Sequence, residues 1–216
     1  RTAFDLEGRS AGYTPLHLRA RALASLHEVT AAEGLESGPL DTNSYQAISA
    51  RGSTLGDWAG AARRLEAGRN DPALVGDAQV TVVRPLLAEA YAHLGRLDQA
   101  KALAAATPLD CYRCLVTRGE IATLEGDGAA ADQWWAELER QTQPRALGPT
   151  EWARNLLVRG DLDGAIVHAK RAHQFSPRYA DPLALWGEAL LRKGDLAGAI
   201  AKFSQADASA PRWGRN

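Results

Sequence analysis

Two stretches of the chain, residues 152–177 and 186–211, align without a gap at an offset of 34. The matching pairs are Trp152/Trp186, Leu156/Leu190, Gly160/Gly194, Asp161/Asp195, Leu162/Leu196, Gly164/Gly198, Ala165/Ala199, Ile166/Ile200, Ala172/Ala206 and Pro177/Pro211. Self-similarity at a fixed period of this length marks a repeat architecture, in which each unit buries its apolar face only by stacking on its neighbours. The same punctuation runs upstream. Glycines at 56, 95, 126, 160 and 194 are each followed five residues later by alanine, at 61, 100, 131, 165 and 199. Pro72, Pro108, Pro144, Pro177 and Pro211 close successive units.

Each mark has a mechanical reason. The glycine suits the left-handed residue that ends the first helix of a pair. The alanine suits a close helix crossing, which a larger side chain would overpack. A small residue also recurs seven places before each glycine (Ser49, Ala88, Gly119, Ala153, Gly187). These two small positions are expected to face each other between paired helices. The proline stops the second helix and turns the chain into the next unit. Composition agrees with helices. The chain has 42 alanines and 28 leucines against 12 valines and isoleucines together, and the former are the better helix formers.

The pattern resembles the tetratricopeptide repeat (TPR) family, which repeats every 34 residues with a small residue, a glycine turn, an alanine, an aromatic and a closing proline. Residues 180–213 carry it most fully, with Trp186-Gly187, Leu190, Gly194, Ala199, Phe203, Ala206 and Pro211. The likeness is strong for residues 112–213 and fair for 42–111, where residues 81–111 are about three short and Pro72 to Pro85 reads as a longer connection. It implies an all-α, right-handed superhelical solenoid. Five helix pairs are expected, near 42–75, 81–111, 112–145, 146–179 and 180–213, within a repeat domain spanning 42–216. Residues 1–41 read as a partly disordered segment with one helix, Leu16 to Val29, serving as a cap or a divergent partial repeat. Pro211-Arg212-Trp213 echoes Pro177-Arg178-Tyr179, so the last residues read as the start of a truncated further repeat.

The sequence contains no methionine, so it reads as a piece of a longer chain or a processed form. Arginine (21) far exceeds lysine (4), a bias that leans toward a GC-rich bacterial source. No run of eighteen apolar residues is present, so no membrane insertion is expected. With 25 basic and 26 acidic residues, the chain lacks the basic footprint of nucleic-acid binding. The compartment stays open between cytoplasm and periplasm, because a cleaved signal would leave no trace.

Cys111 and Cys114 form C-Y-R-C, a spacing that suits redox exchange at a helix N-terminus or half a zinc site. No second pair of ligands completes a metal site, and the βαβ context of a redox motif is missing. They read as two small apolar residues on one helix turn. Among the aromatics, Trp135 falls on the core position, and Trp58, Trp152 and Trp186 on positions expected to be interior. Trp134 is left open between packing and contact.

No nucleophile elbow, metalloprotease helix, phosphate loop or dinucleotide fingerprint occurs, so no enzyme activity, cofactor or metal is expected. The resemblance implies instead that a peptide or protein segment binds along the concave face, lined by the first helix of each pair. Counting from the glycines places Glu89, Glu120, Arg154 and Glu188 on that face, with His93, Glu151 and Arg192 beside them and Thr117 and Thr123 among the neighbouring exposed positions. The leading expectation is a non-catalytic protein-interaction scaffold. Two others stand beside it: a sensor or regulatory module of a larger bacterial signalling or transcription-regulating protein, and a self-association module acting through the terminal repeats.

Overall fold

The computed structural model describes residues 55–69 and 76–210, together with Tyr45, Ile48, Ser49, Gly52 and Ser53. The expected N-terminal helix at Leu16 to Val29 and the expected start of a further repeat after Pro211 lie outside the described residues, as does most of the first helix of the first pair. Nine α-helices follow one another in the described part: α1 (Trp58–Gly68), α2 (Arg84–His93), α3 (Leu97–Ala105), α4 (Tyr112–Glu125), α5 (Gly128–Thr142), α6 (Leu147–Arg159), α7 (Leu162–Phe175), α8 (Ala180–Arg192) and α9 (Leu196–Ser209). A π-helical turn, Gln79–Val83, leads directly into α2. There is no strand among the described residues. The fold is an all-helical, TPR-like repeat in which α2/α3, α4/α5, α6/α7 and α8/α9 are successive pairs. The molecule divides into two compact units between Thr117 and Arg118, inside α4.

The turn between paired helices is written in two residues. Gly56, Gly95, Gly126, Gly160 and Gly194 all have positive φ, between 73° and 85°. At Gly160 the chain closes a Schellman motif, with the Asp161 N–H donating to the Leu156 carbonyl at 2.9 Å. The following aspartate then starts the next helix. Asp57, Asp127, Asp161 and Asp195 each accept from the backbone N–H three residues on, at 2.8–2.9 Å, satisfying a donor that the helix itself leaves unpaired. Arg96 occupies the equivalent place before α3 and provides no side-chain cap.

The five repeat alanines are at most 3% exposed, and the five small residues upstream are also buried. Beside the expected small-to-small contact, the small residues of the first helices meet a further partner. A Cβ on Gly119 would lie 2.5 Å from Trp135, and one on Gly187 would lie 2.8 Å from Phe203. The small residue of the first helix thus receives the side chain sixteen places on in the second. In the α6/α7 pair these positions are Ala153 and Ala169, both fully buried in one cluster with Ala165, Ile166 and Leu157. Volume is exchanged across the contact, glycine with an aromatic or alanine with alanine, so the gap is filled in each case.

Residues 77–83 are already helical, so the expected connection between Pro72 and Pro85 is shorter than its prolines suggest. Pro85 follows the π-helical turn inside a helical run that begins at residue 77; having no N–H, it cannot donate to the preceding turn. The shortfall of residues 81–111 is taken by α3, which has nine residues against fourteen or fifteen in α5, α7 and α9.

Candidate functional site

In the unit beginning at Arg118, the first helices lie in a row. Asn155 on α6 donates to the Thr123 hydroxyl of α4 at 2.6 Å. Arg192 on α8 donates to the Leu157 carbonyl of α6 at 2.8 Å. Five of the residues singled out from the sequence stand on this row: Glu120, Glu151, Arg154, Glu188 and Arg192. Most of their charge is spent within the chain. Arg154 Nη1 is 2.5 Å from Glu151 and its Nη2 3.5 Å from Asp181. Burial acts most strongly on this guanidinium and opposes its charge, but the two carboxylates outweigh it and hold its pKa above the ordinary value. Tyr179 donates to Asp181 at 3.0 Å, and burial together with Asp181 raises the phenol well above its ordinary range. Glu188 pairs with Arg192 one turn on, at 2.5 Å. Glu120 is half-buried.

Glu89 and His93 lie on α2 in the other unit. Glu89 is only 5% exposed; Ser49 Oγ donates to it at 3.1 Å and Arg113 lies 3.8 Å away. His93 stacks flat on Trp58 with ring centroids 3.8 Å apart, and burial pushes its pKa below the usual imidazole value. Thr117 is fully buried, its hydroxyl donating to the Pro85 carbonyl at 3.2 Å. Its expected exposure is therefore corrected: it faces α2 rather than solvent.

Sequence reasoning passed over two features. Leu124, Val158 and Leu191, in the last turns of α4, α6 and α8, are 43%, 73% and 47% exposed. Leu124 and Val158 are 34 apart, so the period itself marks them. The second feature is a buried polar network across α5, α6 and α7. Arg171 and His168 face the buried Glu139 at 2.7 and 3.3 Å. Trp152 stacks on His168 at 3.9 Å and donates to Asp132 at 3.3 Å. Arg159 holds that same aspartate at 2.5 Å. Burial lowers the His168 pKa more than Glu139 raises it. These partners come from three helices and share no local motif.

The tryptophans divide unevenly. Trp135 is 1% exposed and packs as expected. Trp58, Trp152 and Trp186 are half-buried rather than interior. Each shows a face to a cation or an imidazole; Lys202 and Lys170 lie 3.9 and 5.0 Å from the Trp186 ring. Trp134 is also half-buried, with Arg118 5.4 Å from its ring. The cysteines differ from their expected role as simple packing residues: Cys111 and Cys114 are joined in a disulfide, their Cα atoms 5.2 Å apart across one turn. Among the described residues, no group of three or more His, Cys, Asp or Glu is placed to hold a metal ion, and no helix is long and apolar enough to cross a membrane.

This architecture of stacked helix pairs defines a TPR-like repeat protein. Among solved structures, the chain is similar to that in the crystal structure of the APC/C hetero-tetramer Cut9-Hcn1, at 15% identity and a TM-score of 0.52, covering 96% of this chain and 41% of that one. It is also similar to BtubC (BKLC) from P. vanneervenii, at 16% identity and a TM-score of 0.51, covering 98% and 92%. YrrB, a TPR protein with an unusual peptide-binding site, aligns at 15% identity and a TM-score of 0.45 over 98% and 94%. At these identities the likeness is one of fold. No family model and no curated protein sequence matches the chain.

Proposed function

We propose that the chain is a non-catalytic scaffold that binds a peptide or protein segment along the row of first helices, within a repeat domain spanning residues 42–216. The observation that carries this reading is that Leu124 and Val158, at one repeat position in the last turns of successive first helices, are exposed on a helical-repeat fold, with the exposed Leu191 in the last turn of α8. Aliphatic surface at repeating positions loses water on docking, at roughly 25 cal/mol per Å² buried. The charged residues of the row, Glu151, Arg154, Glu188 and Arg192, are paired with one another. They act on this reading as a polar rim that orients the segment, with Glu120 beside them. Glu89 is buried, so reversing its charge would test stability rather than binding.

The test is capture of partners on the immobilised chain, followed by titration with the captured segment. Leu124→Asp combined with Val158→Asp should weaken retention at least about tenfold, the loss of a few buried methylenes plus an unpaired charge. The melting temperature should fall little for Val158→Asp, at 73% exposure, and more for Leu124→Asp, at 43%, each acid opposing the dipole of a helix's last turn. Retention is therefore compared where circular dichroism shows both chains folded. Full retention by the double variant would move the binding face elsewhere.

A second reading is self-association through α9. Ile200 and Leu196 are 66% and 60% exposed, whereas their repeat counterparts Ile166 and Leu162 pack under α8. Sedimentation across a wide concentration range tests it, and a monomer throughout would remove it.

A further inference from the structure

Cys111 stands immediately before Tyr112, the first residue of α4, and Cys114 lies in the first turn of that helix. We propose that this pair is a reversible thiol–disulfide exchange site, with Cys111 as the sulfur that exchanges with thiols and disulfides outside the chain. The proposal is independent of the partner-binding reading.

Four observations carry it. The Cys114 backbone N–H donates to Cys111 Sγ at 3.2 Å. That contact and the positive end of α4 stabilise a thiolate at Cys111 when the bond opens. Accessibility is divided between the two sulfurs: Cys111 is half-buried while Cys114 is fully buried, so an outside reagent meets Cys111 first. Both sulfurs also face the π-helical turn. Cys111 Sγ lies 3.7 Å from the Thr81 carbonyl oxygen, and Cys114 Sγ lies 3.8 Å from that of Val80. A disulfide has no proton to offer these oxygens, whereas two thiols would each donate to one. The surroundings therefore accommodate the reduced pair as well as the oxidised one. Finally, bridging residues three apart closes so short a loop that it removes little entropy from the unfolded chain. Stability of the fold is a weak reason for the bond.

The exchange balances. A thiolate attacks Cys111 Sγ, the bond to Cys114 breaks, and Cys114 leaves as a thiolate that takes up a proton. A second thiol attacks the sulfur of the first thiol in the mixed disulfide and releases Cys111. Two outside thiols are oxidised to one disulfide while the Cys111–Cys114 bond is reduced to two thiols. The reverse begins with the Cys111 thiolate attacking an outside disulfide and ends with Cys114 displacing the bound thiol.

The experiment equilibrates the folded full chain in glutathione buffers of graded oxidation, quenches with an alkylating reagent and reads the intact mass. Both cysteines should convert together, without loss of helical circular dichroism. In the fully reduced protein at neutral pH, Cys111 should alkylate about fivefold faster than the same sequence as an unstructured peptide, and Cys114 more slowly than either. Cys114→Ser should accumulate one glutathione on Cys111. A bond that yields to thiols only after urea unfolds the chain would overturn the proposal. So would a folded Cys114→Ser variant that takes up no glutathione, or a Cys111 no faster than its peptide.

Discussion

Gly119 has no room for a side chain, because Trp135 occupies the space a Cβ would take. Gly119→Ala is expected to cost about 1–3 kcal/mol by overpacking. Trp135→Leu in the same chain should recover part of that loss, since the two sites share one volume and their effects do not add. Chemical denaturation of the two single variants and the double variant checks this; strict additivity would show that the groups do not meet. The repeat alanines behave alike. Ala165→Leu, at a site with no exposure, should lose about 1–3 kcal/mol, while Glu188→Ala at a half-exposed ion pair should move stability by less than about 0.5 kcal/mol. Equal melting temperatures for these two variants would refute the assignment of the interior.

At the scale of helices, the Gly-Asp dipeptide is both a stop and a start. Glycine ends one helix with a positive φ, and aspartate caps the next. Asp161→Ala is expected to cost about 1 kcal/mol, the usual worth of an N-cap side chain. Arg96→Ala, at the one equivalent turn in the described residues without a side-chain cap, should cost less. Hydrogen exchange should report the difference as faster opening of the first turn of α7 in the first variant alone. These turns are legible in sequence because both residues act on backbone a few positions away. The buried Glu139 network is not, since Arg171, His168, Trp152 and Asp132 meet only when three helices pack.

For the molecule as a whole, the imidazoles set a direction for pH. His93 and His168 both have pKa values lowered by burial, so folding favours their neutral forms. The unfolded chain then binds more protons as pH falls below about 6.5. Stability should be full above that value and decline as pH drops through it toward the lowered folded values. Urea unfolding between about pH 7.5 and 5 checks the slope. His93→Gln combined with His168→Gln should flatten it, and an unchanged slope would assign the loss to other groups.

The sequence by itself determined the helix pairs, their turns and the identity of the small buried positions. Those features depend on backbone geometry within a turn or on one fixed period, and a single chain displays both. It also singled out Glu151, Arg154, Glu188 and Arg192 as residues of the first helices, but not their pairing with one another. Only tertiary structure decided which polar residues were spent. Asp181 reaches Arg154 from the following helix, Ser49 and Arg113 claim Glu89, and Thr117 turns inward to Pro85. It also decided that Leu124 and Val158 stay exposed while Ile166 is covered. Helical periodicity tells which residues share a face, but what lies against that face comes from a neighbouring helix distant in sequence.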